Sequence, residues 1–181
     1  MSTQHSDLYS TQFYIPVSKH EEITMILHDR FGEPEQYEYE MCGFTKGRAS
    51  FRYYRTKRED EEEYGITSFS EYKATLSFPD IFHQVIEPSI VIGKLPSFLL
   101  SIGESSTYTW IEEGLKYTKD KVSIRVFSIV TKDERLDPQN YAVSIESAVT
   151  NGENINNVCK IITDYQKVYF PGVIIYKPQV F

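Results

Sequence analysis

Apolar and polar residues alternate with a period of two over most of the chain, which is the pattern of half-buried β-strands. The alternation predicts eight strands, over residues 8–17, 36–45, 49–57, 70–78, 81–92, 108–117, 122–129 and 141–148. Short polar turns join several of them, including Lys46-Gly47 and Lys119-Asp120-Lys121. Strands joined in this way pair as antiparallel hairpins, so a mainly antiparallel sheet is expected.

Three segments change to the spacing of an amphipathic helix. The first begins at Ser18, which stands three residues before Glu21 as in a capping box, and ends at Gly32. The second runs from Pro96 to Gly103. The third covers residues 155–169 and ends before Pro171-Gly172. Its apolar stripe consists of Ile155, Val158, Cys159, Ile162, Tyr165 and Tyr169.

These elements predict an α+β fold, a mainly antiparallel eight-stranded β-barrel with about three flanking helices, formed by residues 1–181 as a single domain. Eight strands can close into a barrel that side chains fill. Gly114, within a predicted strand, indicates a bulge or a barrel bend, and Pro88 indicates an edge position or a bulge. Residues 173–176 are expected to add a short terminal strand.

The composition limits the possible functions. The formal net charge is −7, which disfavours a domain whose main role is to grip nucleic-acid phosphates. The first residues lack the features of a signal peptide, and no apolar run approaches the ~20 residues of a membrane-spanning helix. Cys42 and Cys159 form no metal-ligand pattern and are expected to be small buried residues in a reduced compartment. We therefore expect an intracellular, soluble protein.

The central stretch from Leu95 to Val130 carries most of a resemblance to a known family. The positions that stand at the family's spacing there are Leu95, Phe98, Leu99, Gly103, Gly114, Tyr117, Lys119, Val122, Ile124 and Val126. Earlier positions that match are Val17, Ile26, Leu27, Arg30, Pro34-Glu35 and Glu40-Met41. With these residues, the chain resembles the family of subunit 18 of the Mediator transcription complex.

The resemblance implies a non-catalytic subunit of the Mediator head module, located in the nucleus. It implies an eight-stranded barrel that forms a heterodimer with Mediator subunit 20 and holds the C-terminal helix of subunit 8. Such a subunit bridges regulators and RNA polymerase II through protein–protein contacts. It uses no cofactor and no metal, and it does not span a membrane.

The alternative function is a metal-dependent phosphohydrolase, because the Mediator barrel resembles the triphosphate-tunnel enzymes, which include RNA 5′-triphosphatases. Such an enzyme needs several inward carboxylates for a divalent metal and basic side chains for the triphosphate. Glu38 and Glu40 share one strand face, and Glu146 lies on a late strand. The candidate phosphate clamps are Arg52, Arg55, Lys116 and Arg125. These acids are too few, so no enzyme is expected, and the first two should face water and pair across their hairpin.

Two further sets of residues are possible functional sites, the histidines and the apolar tail. The histidines, His5, His20, His28 and His83, are dispersed and are expected to be surface or partly packed residues. The apolar tail residues that follow the last helix are candidates for partner binding: Val173, Ile174, Ile175 and Tyr176. Such a patch is expected to be covered, either by a partner or by the chain's own sheet.

Overall fold

A computed structural model describes residues 6–46, 49–56, 63–75, 77–92, 108–131, 134–149 and 153–173. Within these, residues 6, 41–46, 49–56, 63–75, 85–92 and 108–109 are described by their backbone. The strands are β1 (Ser6–Pro16), β2 (Glu35–Lys46), β3 (Ala49–Thr56), β4 (Glu63–Thr75), β5 (Phe78–Ile92), β6 (Tyr108–Lys119), β7 (Val122–Thr131), β8 (Glu134–Arg135) and β9 (Asn140–Val149). The helices are α1 (Val17–Phe31) and α2 (Ile155–Tyr169).

All nine described strands belong to one antiparallel sheet, in the order β6-β2-β3-β4-β5-β1-β9-β7-β8. β6 also pairs with β7, so the eight long strands form a ring of pairings. β8 adds only two residues, opposite Val130 and Thr131 of β7. The predicted α+β class and the antiparallel sheet are confirmed. The strand count differs from the prediction because β8 forms within the polar segment between β7 and β9.

α1 begins without the predicted capping box. Pro16 is the N-cap residue, and no side chain caps the helix, so the prediction for Ser18 is wrong. The N–H of Val17 instead donates to the carbonyl of Gln139 over 2.9 Å. A backbone group from another part of the fold thus satisfies a donor that the helix leaves unpaired. The predicted end at Gly32 is confirmed, with a positive φ of 88°.

α2 begins at an Asn154 cap, whose side chain accepts from the N–H of Asn156, and it ends before Pro171-Gly172 as predicted. In its stripe, Val158, Cys159 and Ile162 are buried, whereas Ile155 is exposed and does not join the packed face. The thiol of Cys159 is free and buried as expected, and the side chain of Cys42 lies outside the description. Neither described helix has the length and apolarity needed to cross a bilayer. The predicted helix from Pro96 to Gly103 also lies outside the described residues.

The described apolar core lies between the two helices and one face of the sheet. The strands β1, β5, β6, β7 and β9 contribute Tyr9, Phe13, Ile15, Ile81, Tyr117, Val122, Ile124, Val126, Val143 and Ile145. α1 contributes Ile23 and Leu27, and α2 contributes its buried stripe. The Tyr117 hydroxyl also donates to the Thr24 carbonyl over 3.3 Å, which ties β6 to α1. The predicted alternation of β7 and β9 is confirmed, because Val122, Ile124, Val126, Val143 and Ile145 lie on this helix face. The buried Phe127 of β7 lies on the other face, beside Arg125.

Gly114 lies in a continuous strand and not at a bulge. β6 keeps its register with both β2 and β7 across this position, so of the two predicted features the bulge is wrong and the barrel bend stays a prediction. A Cβ at Gly114 would lie 2.2 Å from the carbonyl oxygen of Val126, so only glycine permits this close approach of the two strands. The described register shift falls instead between Lys73 and Thr75.

Pro88 lies in β5, opposite Thr67 of β4. The described pairing of β5 with β1 reaches Ile86 opposite Ser6, and the residues before Ser6 lie outside the described residues. The predicted edge or bulge position of Pro88 therefore stays a prediction. The short terminal strand predicted over 173–176 lies outside the described residues, apart from Val173.

Candidate functional site

Charged side chains meet on the sheet face that points away from the helices. Ile124 and Val126 of β7 belong to the helix-side core, so Arg125 between them points to the opposite face. There it meets Glu112 of β6 and Glu146 of β9. These three residues, Glu112, Arg125 and Glu146, form what we term the charge cluster.

Arg125 lies between carboxylates from its two neighbouring strands. Its Nη1 donates to Oε2 of Glu112 over 3.0 Å, and its Nε donates to Oε1 of Glu146 over 3.1 Å. Its Nη2 contacts the same oxygen of Glu146. The side chains of Arg125, Glu112 and Glu146 are only 19%, 10% and 16% exposed. Since little water screens these charges, their attraction exceeds that of a surface ion pair.

Each carboxylate of the charge cluster also accepts a hydrogen bond from a donor other than Arg125. The Oγ of Ser144 donates to Oε1 of Glu146 over 2.8 Å. The Nε1 of Trp110 donates to Oε1 of Glu112 over 3.2 Å. These donors come from the same strands as the carboxylates they bind, and they orient the carboxylates towards Arg125.

Burial and neighbouring charges act in opposite directions on the pKa values here. Burial favours the neutral form of Arg125, but Glu146 and Glu112 outweigh it and raise the pKa of the guanidinium. Burial favours the neutral form of Glu146, but Arg125 outweighs it and lowers the pKa of this carboxyl below its usual 4.5. Burial raises the pKa of the neighbouring Tyr37 phenol above its usual 10.0. At neutral pH Arg125 is therefore a cation, Glu146 a carboxylate and Tyr37 an uncharged phenol.

This arrangement does not suit metal or phosphate chemistry. The guanidinium of Arg125 already donates to both carboxylates, so it is not free to clamp a phosphate. The carboxylates in turn are neutralised by a fixed cation. In the part of the chain that the structure describes, no group of three or more ligating side chains is placed to hold a metal ion. The cluster acts as a cross-link between strands.

Of the predicted phosphate clamps, only Arg125 lies in the charge cluster. The Nζ of Lys116 lies 3.5 Å from a carboxylate oxygen of Glu35. The side chains of Arg52 and Arg55 lie outside the description, since β3 is described by its backbone. The sequence thus identified Arg125 and Glu146 as candidates, and the structure brings them together as a pair.

Glu38 and Glu40 lie on the other face of β2 from the buried Tyr37. Glu38 is exposed and stands opposite Glu113 of β6, which confirms that it faces water. Glu40 is half-buried and stands opposite Arg55 in the backbone register of the hairpin. Neither joins Glu146, so the alternative metal site is not assembled from these acids.

Sequence analysis does not single out Glu112, although a signal is present. Trp110, Glu112, Gly114 and Lys116 recur with a period of two and form one polar face of β6. The large apolar residues before and after Gly114 lie on opposite faces of β6, as Trp110 and Tyr117 do, although the strand is continuous. A prediction that follows the apolar residues alone therefore places a strand break at Gly114 and does not detect the polar face.

The predicted partner-binding tail is described only at its first residue. Val173 is half-buried and packs against the core. It lines a groove of about 480 Å³ between the start of β5 and the end of α2. Ile174, Ile175 and Tyr176 lie outside the described residues, so their role stays a prediction.

The described histidines are dispersed, as predicted. His20 stacks on the Tyr141 ring at 3.9 Å between centroids, and burial lowers its pKa. His83 forms a hydrogen bond of 2.9 Å with Asp7. His28 lies near the exposed end of α1, and the fourth histidine, at position 5, falls outside the described residues. They form no common site.

No protein-family model and no curated protein matches the sequence. The structure superimposes on a chain of the Schizosaccharomyces pombe Mediator head module with a TM-score of 0.74. The identity is 10%, and the match covers 90% of this chain and 96% of that chain. This chain shares its fold with a Mediator head-module protein. The resemblance that the sequence indicated is confirmed at the level of the fold.

The structure of this chain also superimposes on proteins of archaea and bacteria. A conserved hypothetical protein of Pyrococcus furiosus superimposes with a TM-score of 0.60 and 14% identity, over 90% of each chain. A candidate adenylate cyclase of Bacillus halodurans superimposes with a TM-score of 0.56 and 7% identity, over 94% of each chain. Since these likenesses concern shape at very low identity, function has to be argued from the residues.

Proposed function

We propose that this chain is a non-catalytic subunit of the Mediator head module, which acts in the nucleus through protein–protein contacts between regulators and RNA polymerase II. The observation that carries the proposal is the match of 90% of this chain to 96% of a head-module chain at a TM-score of 0.74. The proposal includes two structural points. The eight long strands form a closed β-barrel, and residues 1–181 form a single domain.

The chemistry of the charge cluster supports a non-catalytic role. Phosphoryl chemistry requires cations that can bind phosphate and carboxylates that can bind metal. In this chain Arg125 and its two carboxylates bind one another. The candidate acids of β2, Glu38 and Glu40, point to the other face of their strand.

The proposed partners follow from the resemblance: Mediator subunit 20, as a heterodimer, and the C-terminal helix of subunit 8. We propose that the tail, Val173 to Tyr176, contributes to this partner surface. Val173, the last described residue, packs against the core and lines a groove, so the tail begins next to an open surface. The tail is rich in β-branched residues, which favour strand pairing or an apolar contact.

Co-expression tests the assembly proposal directly. The tagged chain is co-expressed with subunits 20 and 8 of its source organism, and their capture is compared with that by a chain lacking residues 174–181. We expect the full chain to capture both subunits, and the truncated chain to lose capture while it keeps its melting temperature. A matched control, Met25→Asp, alters an exposed apolar residue of α1 and should capture normally. Normal capture by the truncated chain would exclude the tail, and capture of neither subunit by the full chain would exclude the assembly.

An activity assay tests the alternative of an RNA 5′-triphosphatase. We expect no release of γ-phosphate from triphosphate-ended RNA with Mg²⁺ or Mn²⁺, and no change in Glu38→Ala or Glu146→Gln. Turnover that depends on the metal and disappears in Glu146→Gln would contradict a non-catalytic role.

A further inference from the structure

The charge cluster joins three strands that are neighbours in the sheet but not all neighbours in the sequence. Arg125 is 13 residues from Glu112 and 21 residues from Glu146. Its guanidinium lies between β6 and β9, which pair with β7 on its two sides. One buried cation thus holds three strands, including the β6–β7 pairing that completes the ring.

The stability of such a cluster depends on its protonation state. A buried ion pair is costly to desolvate, and removal of one charge leaves the other uncompensated. Among the described side chains, the titratable and charged groups that face the cluster, besides its own three members, include Tyr37 and Tyr39 from β2 and Lys116 from β6. β9 adds the Ser144 hydroxyl, which is not titratable in this range. Only the carboxylates change charge in mildly acidic solution.

We propose that the charge cluster is an acid-sensitive clasp, which fastens β6, β7 and β9 while its carboxylates are ionised and releases them when the carboxylates are protonated. This role is independent of the proposed partners, because it rests on contacts within the chain. It makes the stability of the sheet depend on pH through one identifiable site.

The chain carries its own reporter of the clasp. Its single tryptophan, Trp110, donates to the carboxylate of Glu112. Loss of the contacts that join β6 to β7 through Arg125 changes the surroundings of the indole, so the fluorescence should respond to the clasp itself. We expect the emission of the wild-type chain to change as the pH falls below 4.5, where Glu146 begins to lose its charge. In Glu146→Gln, which carries no carboxyl at this position, this change should be absent.

The decisive variant is Arg125→Met, which removes the cation and keeps an apolar side chain of similar length. In the wild type the pKa of Glu146 is lowered, so its stabilisation is present above 4.5 and is lost as pH falls through its folded pKa. Without the cation, burial raises the pKa of Glu146. The dependence of stability on pH then has the opposite sign: the variant is most stable in acid and loses stability as the pH rises.

Three chains are compared by thermal melting at about pH 7 and about pH 4.5. The baseline is the triple variant Glu112→Gln/Arg125→Met/Glu146→Gln, in which no member of the cluster titrates. On acidification from about pH 7 to about pH 4.5, the melting temperature of Arg125→Met should rise by at least about 3 °C more than that of the triple variant. The melting temperature of the wild type should show no such rise relative to the triple variant. If Arg125→Met is unfolded at neutral pH, it should fold in acid, which tests the same reversal.

A matched control separates the clasp from ion pairs in general. Lys19→Met removes the cation of an exposed pair with Glu22 on α1 and should melt like the wild type at both pH values. The proposal is overturned if Arg125→Met and the triple variant show the same pH dependence. It is also overturned if the emission of the triple variant changes with pH as that of the wild type does.

Discussion

The two faces of the same strands are stabilised by different physical effects. On the helix face, Ile124, Val143 and Ile145 are fully buried against α1 and α2. On the other face, Arg125 and Glu146 stand one residue away along the same strands and bind each other. Burial of apolar area is non-directional, so an apolar neighbour of suitable size suffices. A buried charge requires one specific partner, so on the second face it is the loss of a charged member, Arg125 or one of its carboxylates, that is poorly tolerated.

A charge placed on the helix face should have the largest effect. In Ile162→Asp, a fully buried residue of α2 becomes an unpaired carboxylate, which should cost roughly 4 kcal/mol or more in the free energy of unfolding. The matched control is Ile161→Asp, because Ile161 is 42% exposed on the same helix and should cost under about 1 kcal/mol. Chemical denaturation measures both. If Ile162→Asp unfolds like the parent chain, α2 does not pack on the sheet as described.

A pair of neighbouring truncations on β9 compares the two faces directly. Ile145→Ala removes a fully buried apolar side chain from the helix face and should cost roughly 2–5 kcal/mol. Ser144→Ala removes one hydrogen bond to Glu146 and should cost about 1 kcal/mol, because Arg125 remains bound. Urea unfolding measures the loss in the free energy of unfolding for each variant. Equal losses for the two variants would contradict the distinction between the faces.

Overpacking at the contact between β6 and β7 should have an intermediate effect. Gly114→Ala places a Cβ 2.2 Å from the Val126 carbonyl oxygen, so the strands must separate, at a cost of roughly 1–3 kcal/mol. Thr118→Ala, at an exposed position of the same strand, serves as the control and should be near neutral. An unchanged melting temperature for Gly114→Ala would mean that the strands approach less closely than described.

The smallest expected effect concerns the end of α2 and not its packed face. Asn154→Ala removes the side chain that accepts from the N–H of Asn156 and should cost about 1 kcal/mol. Asn157→Ala, an exposed position in the first turn, keeps the cap and should have little effect. Thermal melting distinguishes them. A loss as large as that of Ile162→Asp would show that capping, and not packing, holds this helix.

The sequence by itself determined the elements and the apolar face of the described fold. The alternation at Val122, Ile124 and Val126, and the stripe at Val158, Cys159 and Ile162, correctly predict which residues face the core. The hairpins follow from the turns in the same way, and Lys46 and Ala49 are indeed paired. These features are predictable because periodicity and turn chemistry act between residues that are close in the chain.

Only the tertiary structure decided what happens on the other face and at the start of α1. The sequence offers Glu38, Glu40, Glu112, Glu113 and Glu146 as similar carboxylates, and the register alone selects two of them to bind Arg125. The Gln139 carbonyl likewise displaces the local signal of Ser18 and Glu21 at the helix start. In both cases the partner is distant in sequence, and its position depends on how strands align across the whole sheet. A one-residue shift of a strand would exchange its two faces, so no local pattern can specify such partners.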